Sequence, residues 1–257
     1  MKKKTVLITG STSGIGLGIA RSFAAHGYNI IFNGLEADGE KIAASIATEF
    51  GIGHLFFPAN MLRPESLREM VTSSLERFDV IDVLINNAGI QHVSPIEDFP
   101  EEKWNDIIAV NLSAAFHLTK AVWGAMKQQQ CGRIINIASA HGLFASEFKG
   151  AYVASKHGIV GFTKTAALEG APYGITANAI CPGYVKTQLV EKQIADQSRV
   201  HNIPENEVVQ KVFLLKQAIK EFIPIETIAA VCIFLASDVA ATITGISIPV
   251  DGGWSAQ

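Results

Sequence analysis

The chain has 257 residues, 48% of them hydrophobic and 18% charged, and carries a net charge of −3. Such a composition excludes a disordered chain and supplies one sizeable core. The slightly acidic balance, with no basic stripe to offset it, argues against a nucleic-acid binder.

Met1-Lys-Lys-Lys-Thr5 resembles the charged start of a signal peptide, but the apolar run after it is only Val6-Leu7-Ile8 before Thr9-Gly10. That run is too short for a signal core. No run of eighteen apolar residues occurs, so no membrane span is expected. Cys131, Cys181 and Cys232 are widely spaced and form no CxxC pattern, which reads as small buried hydrophobes in a reducing compartment. The cytoplasm is the expected location.

A first strand is expected at residues 5–9, running into Thr9-Gly10-Ser-Thr-Ser-Gly14-Ile-Gly16 ahead of a helix at 14–26. Glycines there permit a tight turn and let the main chain approach a pyrophosphate resting on the helix N-terminus. The spacing is G-x3-G-x-G and differs from the generic G-x-G-x-x-G. A second strand at 28–33 ends in Asn33-Gly34-Leu35-Glu36. Here dinucleotide folds choose between a ribose hydroxyl and a ribose phosphate. From Asn33 onward no arginine or lysine comes before Lys41, and the glycine turn has none, so NAD is favoured over NADP. Glu36 sits a little late for the acid that grips the 2′-hydroxyl.

A helix at 37–50, a strand at 55–58 and a helix at 64–78 follow, with Pro64 in a first turn where a missing N–H costs nothing. Next come a strand at 83–86, a helix at 101–128, a strand at 133–139, a helix at 151–171 and a strand at 175–180. Residues 187–221 form a polar, mostly helical excursion broken at Asn202-Ile-Pro204, read as a lid over the site. A helix at 225–237 and a strand at 246–250 close the pattern. The strands are nearly all apolar, as parallel strands covered on both faces are. The alternation predicts an α/β fold: a doubly wound Rossmann sheet with seven parallel strands and a helical lid between the last two. Residues 1–257 read as a single catalytic domain that binds its ligands at the carboxyl ends of the strands.

On the expected helix at 151–171, Tyr152 and Lys156 are four residues apart and share a face, with the Ser139 hydroxyl upstream. A free tyrosine titrates near pH ~10, and a neighbouring cation stabilises its phenolate. Such a tyrosine can take a proton from an alcohol or return it to a ketone. The same spacing also describes a ring packed on the core beside a snorkelling lysine.

Thr9-Gly10-x3-Gly14-x-Gly16, Asn86-Asn87-Ala88-Gly89, Asn111, Ser139, Tyr152-x3-Lys156, Pro182-Gly183 and Val250-Asp251-Gly252-Gly253 occur together in this chain. In order and spacing they resemble the short-chain dehydrogenase/reductase family over essentially the whole length. The resemblance implies a seven-stranded Rossmann sheet, commonly in homotetramers, and a catalytic tetrad of Asn111, Ser139, Tyr152 and Lys156. Tyr152 would be the acid/base, and Lys156 would lower its pKa and bond the nicotinamide ribose. Ser139 would bond the reacting oxygen, and Asn111 would hold a relay water. The implied cofactor contacts are Gly10, Thr12, Ser13, Gly14, Ile15, Gly16, Leu35, Asn60, Met61, Asn87, Tyr152, Lys156, Pro182, Gly183 and Val185. Asn60-Met61 stands where the family usually shows an acid facing adenine; an amide oxygen there can still accept a hydrogen bond. For Asn86 a purely stabilising role after its strand is the competing reading.

Gln91, His92, His141, Lys149 and Gln193 surround the tetrad in sequence with more polar groups than a generic member needs. Converging Gln91, His141, Lys149 and Gln193 would suit a small carboxylate; His92 reads as a solvated loop side chain. Asn87-Ala-Gly-Ile-Gln-His92, Asn136-Ile-Ala-Ser139-x-His141-Gly142, Lys149-x2-Tyr152, Val190-Glu-Lys-Gln193-Ile194 and Asp251-Gly-Gly-Trp254 are similar to the bacterial D-3-hydroxybutyrate dehydrogenases within that family. Tyr184 departs from the tryptophan usual there. The implied reaction is NAD-dependent, reversible oxidation of (R)-3-hydroxybutyrate to acetoacetate. The alternatives are an acetoacetyl-coenzyme A or 3-oxoacyl-carrier-protein reductase and, in another class, a non-catalytic NAD-binding sensor that kept the fold. The seven histidines show no metal-ligand spacing, so no metal is expected.

Overall fold

In the computed structural model, which describes residues 3–256, a seven-stranded sheet runs β3-β2-β1-β4-β5-β6-β7 with every neighbouring pair parallel. Met1, Lys2 and Gln257 lie outside the described residues, and the leader-like start falls partly on them. The strands are β1 (Thr5–Ile8), β2 (Asn29–Asn33), β3 (His54–Phe57), β4 (Val83–Asn86), β5 (Gly132–Ile137), β6 (Ile175–Pro182) and β7 (Ser247–Val250). Between β1 and β6 they are joined by α1 (Gly14–Ala25), α2 (Gly39–Phe50), α3 (Pro64–Phe78), α4 (Glu101–Ile108), α5 (Ala114–Gln129) and α6 (Gly150–Gly170).

Strand side chains alternate between two faces, so unbroken apolar strands feed two cores. Val6, Ile8, Ile30, Phe32, Val83 and Ile85 pack with Ile19 and Phe23 of α1 on one side. Leu7, Ile31, Leu84 and Ile134 meet Met70 of α3 and Leu118, Val122 and Met126 of α5 on the other. Strand order reverses direction between β1 and β4, which places the cofactor crevice at the carboxyl ends of those strands.

The expected helix at 101–128 is interrupted. A π-turn, Ala109–Ser113, separates α4 from α5. One extra residue in the helical ladder swings Asn111 inward, where it is buried. The whole stretch Glu101–Gln129 is long and apolar enough by composition to cross a membrane. Its apolar stripe, however, is already packed into the second core.

After β6 the chain makes the expected excursion through α7 (Gln188–Glu191), α8 (Ile194–His201), α9 (Glu205–Val208) and a π-turn at Val209–Phe213 before α10 (Ile225–Ala236). Gln217, fully buried, ties its far end down. The Gln217 oxygen accepts from the Tyr184 N–H (3.1 Å), and its amide donates to the carbonyls of Ile219 (3.2 Å) and Glu221 (2.7 Å).

Asparagines stitch the strand ends. Asn86 donates to Asn136 (2.8 Å), Asn136 to Thr163 (2.8 Å), and Thr163 to the Ile159 carbonyl (2.7 Å), all buried. The stabilising reading of Asn86 is therefore met, with its Oδ1 left without a partner. Asn136→Ala would strand the Asn86 amide as well. A loss of about 2–3 kcal/mol in urea unfolding is expected; wild-type stability would show that the chain of amides contributes nothing.

Candidate active site

The glycine turn is held by its neighbours through main-chain and amide bonds. Thr9 Oγ1 accepts from the N–H groups of Asn87 and Ala88, both at 2.9 Å. Asn87 Nδ2 donates back to the carbonyls of Thr9 (2.8 Å) and Gly10 (3.2 Å). From the other side, Asn33 Oδ1 accepts the Gly10 N–H at 3.1 Å while its amide donates to Phe57 and Ala59. Gly10 and Gly14 take left-handed φ values of 60° and 52°, where a side chain strains the main chain. A Cβ on Gly16 would overlap the Gly10 carbonyl and the Asn87 amide. Ser13 precedes α1 without a side-chain cap, so the first N–H groups of that helix face outward for an anion. This cradle fits a dinucleotide pyrophosphate.

Glu36 lies closer to the turn than its sequence position suggested. Its carboxylate accepts hydrogen bonds from Thr12 and from Ser13 (3.3 Å). Burial pushes its pKa up, but those bonds and main-chain donors outweigh it and hold it below the usual range. Leu35 beside it is 66% exposed and offers an apolar wall. Three expected contacts also have partners within the protein. Asn60 Oδ1 accepts the Leu62 N–H at 2.9 Å, closing its own turn. Met61 packs against the second core, and Val185 is buried in the first. Asn60 is therefore partly committed, whereas Met61 also lines a small cavity with Thr9, Ala88, Asn111 and Lys156. Ile15 also leans on the first core. Pro182 pairs with Val250, and the Gly183 N–H donates to the Val250 carbonyl (2.9 Å), which fixes the loop leaving β6.

The four tetrad residues converge. Ser139 bonds the Tyr152 hydroxyl, accepts the His141 N–H at 3.1 Å and thereby caps the short turn Ala140–Gly142. Lys156 Nζ lies 5.6 Å from the centre of the Tyr152 ring and donates to the Ile137 carbonyl at 2.8 Å. Asn111 Oδ1 accepts the Ile90 N–H (2.8 Å), and its amide donates to the Ile90 carbonyl (3.0 Å) and Ser155 Oγ (3.2 Å). Both of its amide protons are committed, so this side chain clasps the loop after β4. Lys156 was expected to lower the Tyr152 pKa. Here burial is the larger influence and raises it, with the Ser139 bond opposing. Burial also brings Lys156 down to about 8.

Gln91, His141, Lys149 and Gln193 line one cavity of about 60 Å³ together with Ser139 and Tyr152. Lys149 is 3% exposed and makes no ion pair among the described residues; its ammonium donates to Tyr184 OH at 3.0 Å. Burial drops its pKa to about 7. Burial, then the Lys149 charge, drive the His141 pKa well below normal, so this ring is neutral. Its Nε2 lies 2.9 Å from Ser146 Oγ and its Nδ1 3.4 Å from Ser139 Oγ. Both amide atoms of Gln91 and the Gln193 oxygen are buried without partners. Orphaned polar atoms beside an unpaired ammonium are what a carboxylate would satisfy. His92 instead packs edge-on to Phe99 at 5.4 Å, as a loop residue.

Sequence reasoning named Tyr184 as an aromatic wall of this pocket but passed over a second, Trp254. Trp254 stacks parallel to Tyr184 at 6.2 Å and edge-on to His141 at 5.2 Å. Asp251 fixes it by accepting the N–H groups of Gly253 (3.1 Å) and Ser255 (2.9 Å). The aromatic spacing in Asp251-Gly-Gly-Trp254 was visible; its contact with a residue 113 positions earlier, His141, was not.

Residues 4–198 match the family model described as short chain dehydrogenase. The D-beta-hydroxybutyrate dehydrogenase of Rhizobium meliloti is 52% identical over 256 residues, 99% of each chain. That of Cupriavidus necator is 49% identical, covering 99% of this chain and 98% of the relative. The crystal structure of an actinorhodin polyketide ketoreductase variant with NADPH superimposes with a TM-score of 0.93 at 31% identity, covering 99% of this chain and 98% of that one. The chain belongs to the short-chain dehydrogenase family.

Gly16→Ala should weaken NADH binding at least about tenfold, roughly 1.4 kcal/mol, because its Cβ meets main chain that cannot yield. Fluorescence titration with NADH checks this, and an unaltered Kd would show that the turn relaxes.

Proposed function

We propose that this short-chain dehydrogenase oxidises (R)-3-hydroxybutyrate reversibly to acetoacetate, with NAD as the cofactor and Tyr152 as the general acid/base. The observation that carries the reading is the single small pocket in which Lys149, Gln91 and Gln193 face Ser139 and Tyr152. A carboxylate on Lys149 sets the hydroxyl two carbons away toward the two catalytic oxygens. The handedness follows the two D-beta-hydroxybutyrate dehydrogenases that share about half of the sequence.

The glycine turn, Leu35, Asn87 and Lys156 would hold the dinucleotide, whose bound nicotinamide supplies a hydride acceptor. In the oxidation Tyr152 takes the substrate hydroxyl proton, and Ser139 steadies the reacting oxygen by hydrogen bonding. Lys156 beside the ring favours the phenolate, the form that accepts this proton. Lys149 and the glutamine amides hold the carboxylate, and pre-orientation of this kind lowers the barrier by removing positional freedom. For the cofactor, Glu36 bonded to Thr12 and Ser13 places a negative charge where a 2′-phosphate would need a positive one. That favours NAD over the NADPH of the polyketide ketoreductase and weakens the thioester-reductase alternative.

The deciding assay follows NADH formation from (R)-3-hydroxybutyrate, with the (S) form and NADP as controls. Turnover confined to the (R) acid and NAD is expected, and Tyr152→Phe should abolish it while NADH still binds. Greater turnover of an acetoacetyl thioester with NADPH would overturn the reading.

A carboxylate needs Lys149 charged, and this lysine titrates at about 7. Affinity is therefore full below that pH and falls above it, where each binding event must take up a proton. KM for the hydroxy acid should rise up to about tenfold per unit above pH ~7. A KM flat from pH ~6 to ~9 would remove Lys149 from the carboxylate site. Glu36→Ser should shift the ratio of kcat/KM for NADP over NAD upward by about 10- to 100-fold, measured with saturating hydroxy acid. No shift would exonerate Glu36.

A further inference from the structure

Next to the substrate pocket lies a larger cavity of about 490 Å³, between the excursion after β6 and residues 145–149. The two share three walls, Lys149, Tyr184 and Trp254. All three are buried, and the Lys149–Tyr184 bond of 3.0 Å runs along the partition. The outer rim of the large cavity is different. Ala145, Glu147, Lys211, Leu215 and Lys216 line it and are exposed to solvent. Lys216 stands 5.7 Å over the Trp254 ring, so its charge reaches from the rim to the partition. Deeper in, Gln197 lines the cavity at 1% exposure, and its Nε2 donor has no partner. The cavity thus runs from an open rim with two lysines and one glutamate to a buried end closed by a third lysine.

Resting on the reading of the inner pocket as a carboxylate site, we propose that this cavity is the entry port for the substrate: an outer station for a small monocarboxylate. Lys216 draws the anion in, Lys211 adds less because it is ion-paired with Glu207, and the Gln197 amide supplies a donor along the wall. Lys149, which lines both spaces, passes it from one to the other. A single lysine common to two cavities can exchange its Tyr184 partner for a carboxylate without any new cation being buried. Apolar walls keep the field of the rim charges from being screened, the condition under which steering is effective.

The test compares kcat/KM for the free acid and for its neutral methyl ester. In the Lys211→Gln/Lys216→Gln double variant, kcat/KM for the acid should fall about fivefold at low ionic strength. Its salt dependence should flatten, and the ester should lose less than the acid. Ala145→Trp, which narrows the rim, should lower kcat/KM for acid and ester alike while NADH affinity holds. A readout independent of turnover is iodide quenching of Trp254 fluorescence, with Trp104 and Trp123 replaced by Phe. Iodide quenching should drop in the double variant, and quenching by neutral acrylamide should not. If the wild type fails to oxidise 3-hydroxybutyrate, the functional reading falls and the iodide experiment judges the port by itself. Acid kinetics and iodide quenching both equal to wild type would overturn the port. A double variant impaired only toward an acetoacetyl thioester would also overturn it, assigning the cavity to a pantetheine arm.

Discussion

The whole site depends on one constraint: in a parallel sheet every strand ends at the same edge. Seven strand ends therefore leave their last main-chain groups together, with few ladder partners and little water. The chain meets this with asparagine, whose amide both donates and accepts. Asn33 closes the end of β2 onto the glycine turn, and Asn87 closes the loop after β4 onto Thr9 and Gly10. Asn86 and Asn136 bridge β4 to β5 at the same edge. The groups that satisfy the sheet edge are the ones that shape the cofactor cradle. Stability and binding share the same amides here.

The substrate side is governed by the opposite problem, charge without a partner. Lys149 and Lys156 are both buried, and neither forms an ion pair with a carboxylate among the described residues. Each is left with one neutral oxygen, Tyr184 OH for Lys149 and the Ile137 carbonyl for Lys156. Burial accordingly moves both pKa values down, to about 7 and about 8. Holding such groups costs the fold stability that a hydrophobic residue would not.

Much of this was legible in the sequence because it is local. Apolar runs such as Val6-Leu7-Ile8 and Ile134-Ile135 can only be doubly covered strands, and the glycine turn announces its helix. Ser139, His141, Lys149, Tyr152 and Lys156 all lie between the end of β5 and the first turns of α6, and for Tyr152 and Lys156 the helical rise sets the spacing. What escaped was non-local or conformational. Ala109–Ser113 has nothing in its composition to separate a π-turn from an α-helix; only the bond from Asn111 to Ile90 favours it. Asn60 looked free to face a ligand because its capture by Leu62 is a turn preference invisible to spacing. Glu36 looked late because position was counted along the strand, whereas Gly34 bends the chain back toward Thr12.

The charge pattern also bears on why Tyr152 sits half-buried with its pKa raised. On the proposed reading, oxidation sets two anions together in this pocket, the substrate carboxylate and the Tyr152 phenolate, which becomes a neutral phenol on taking the hydroxyl proton. Two buried ammonium groups, on Lys149 and Lys156, balance those two anions one for one. A pocket whose cations are already in place holds these anions without rearranging around them. His141 fits this balance only as a neutral ring, since a third cation beside Lys149 would tip it, and burial keeps that ring neutral. Exposure of Tyr152 would lower its pKa and at the same time dilute every one of these interactions in water. Burial raises the energy of the phenolate, which makes it the stronger base, and the same surroundings strengthen its attraction to the ammonium groups until the proton arrives.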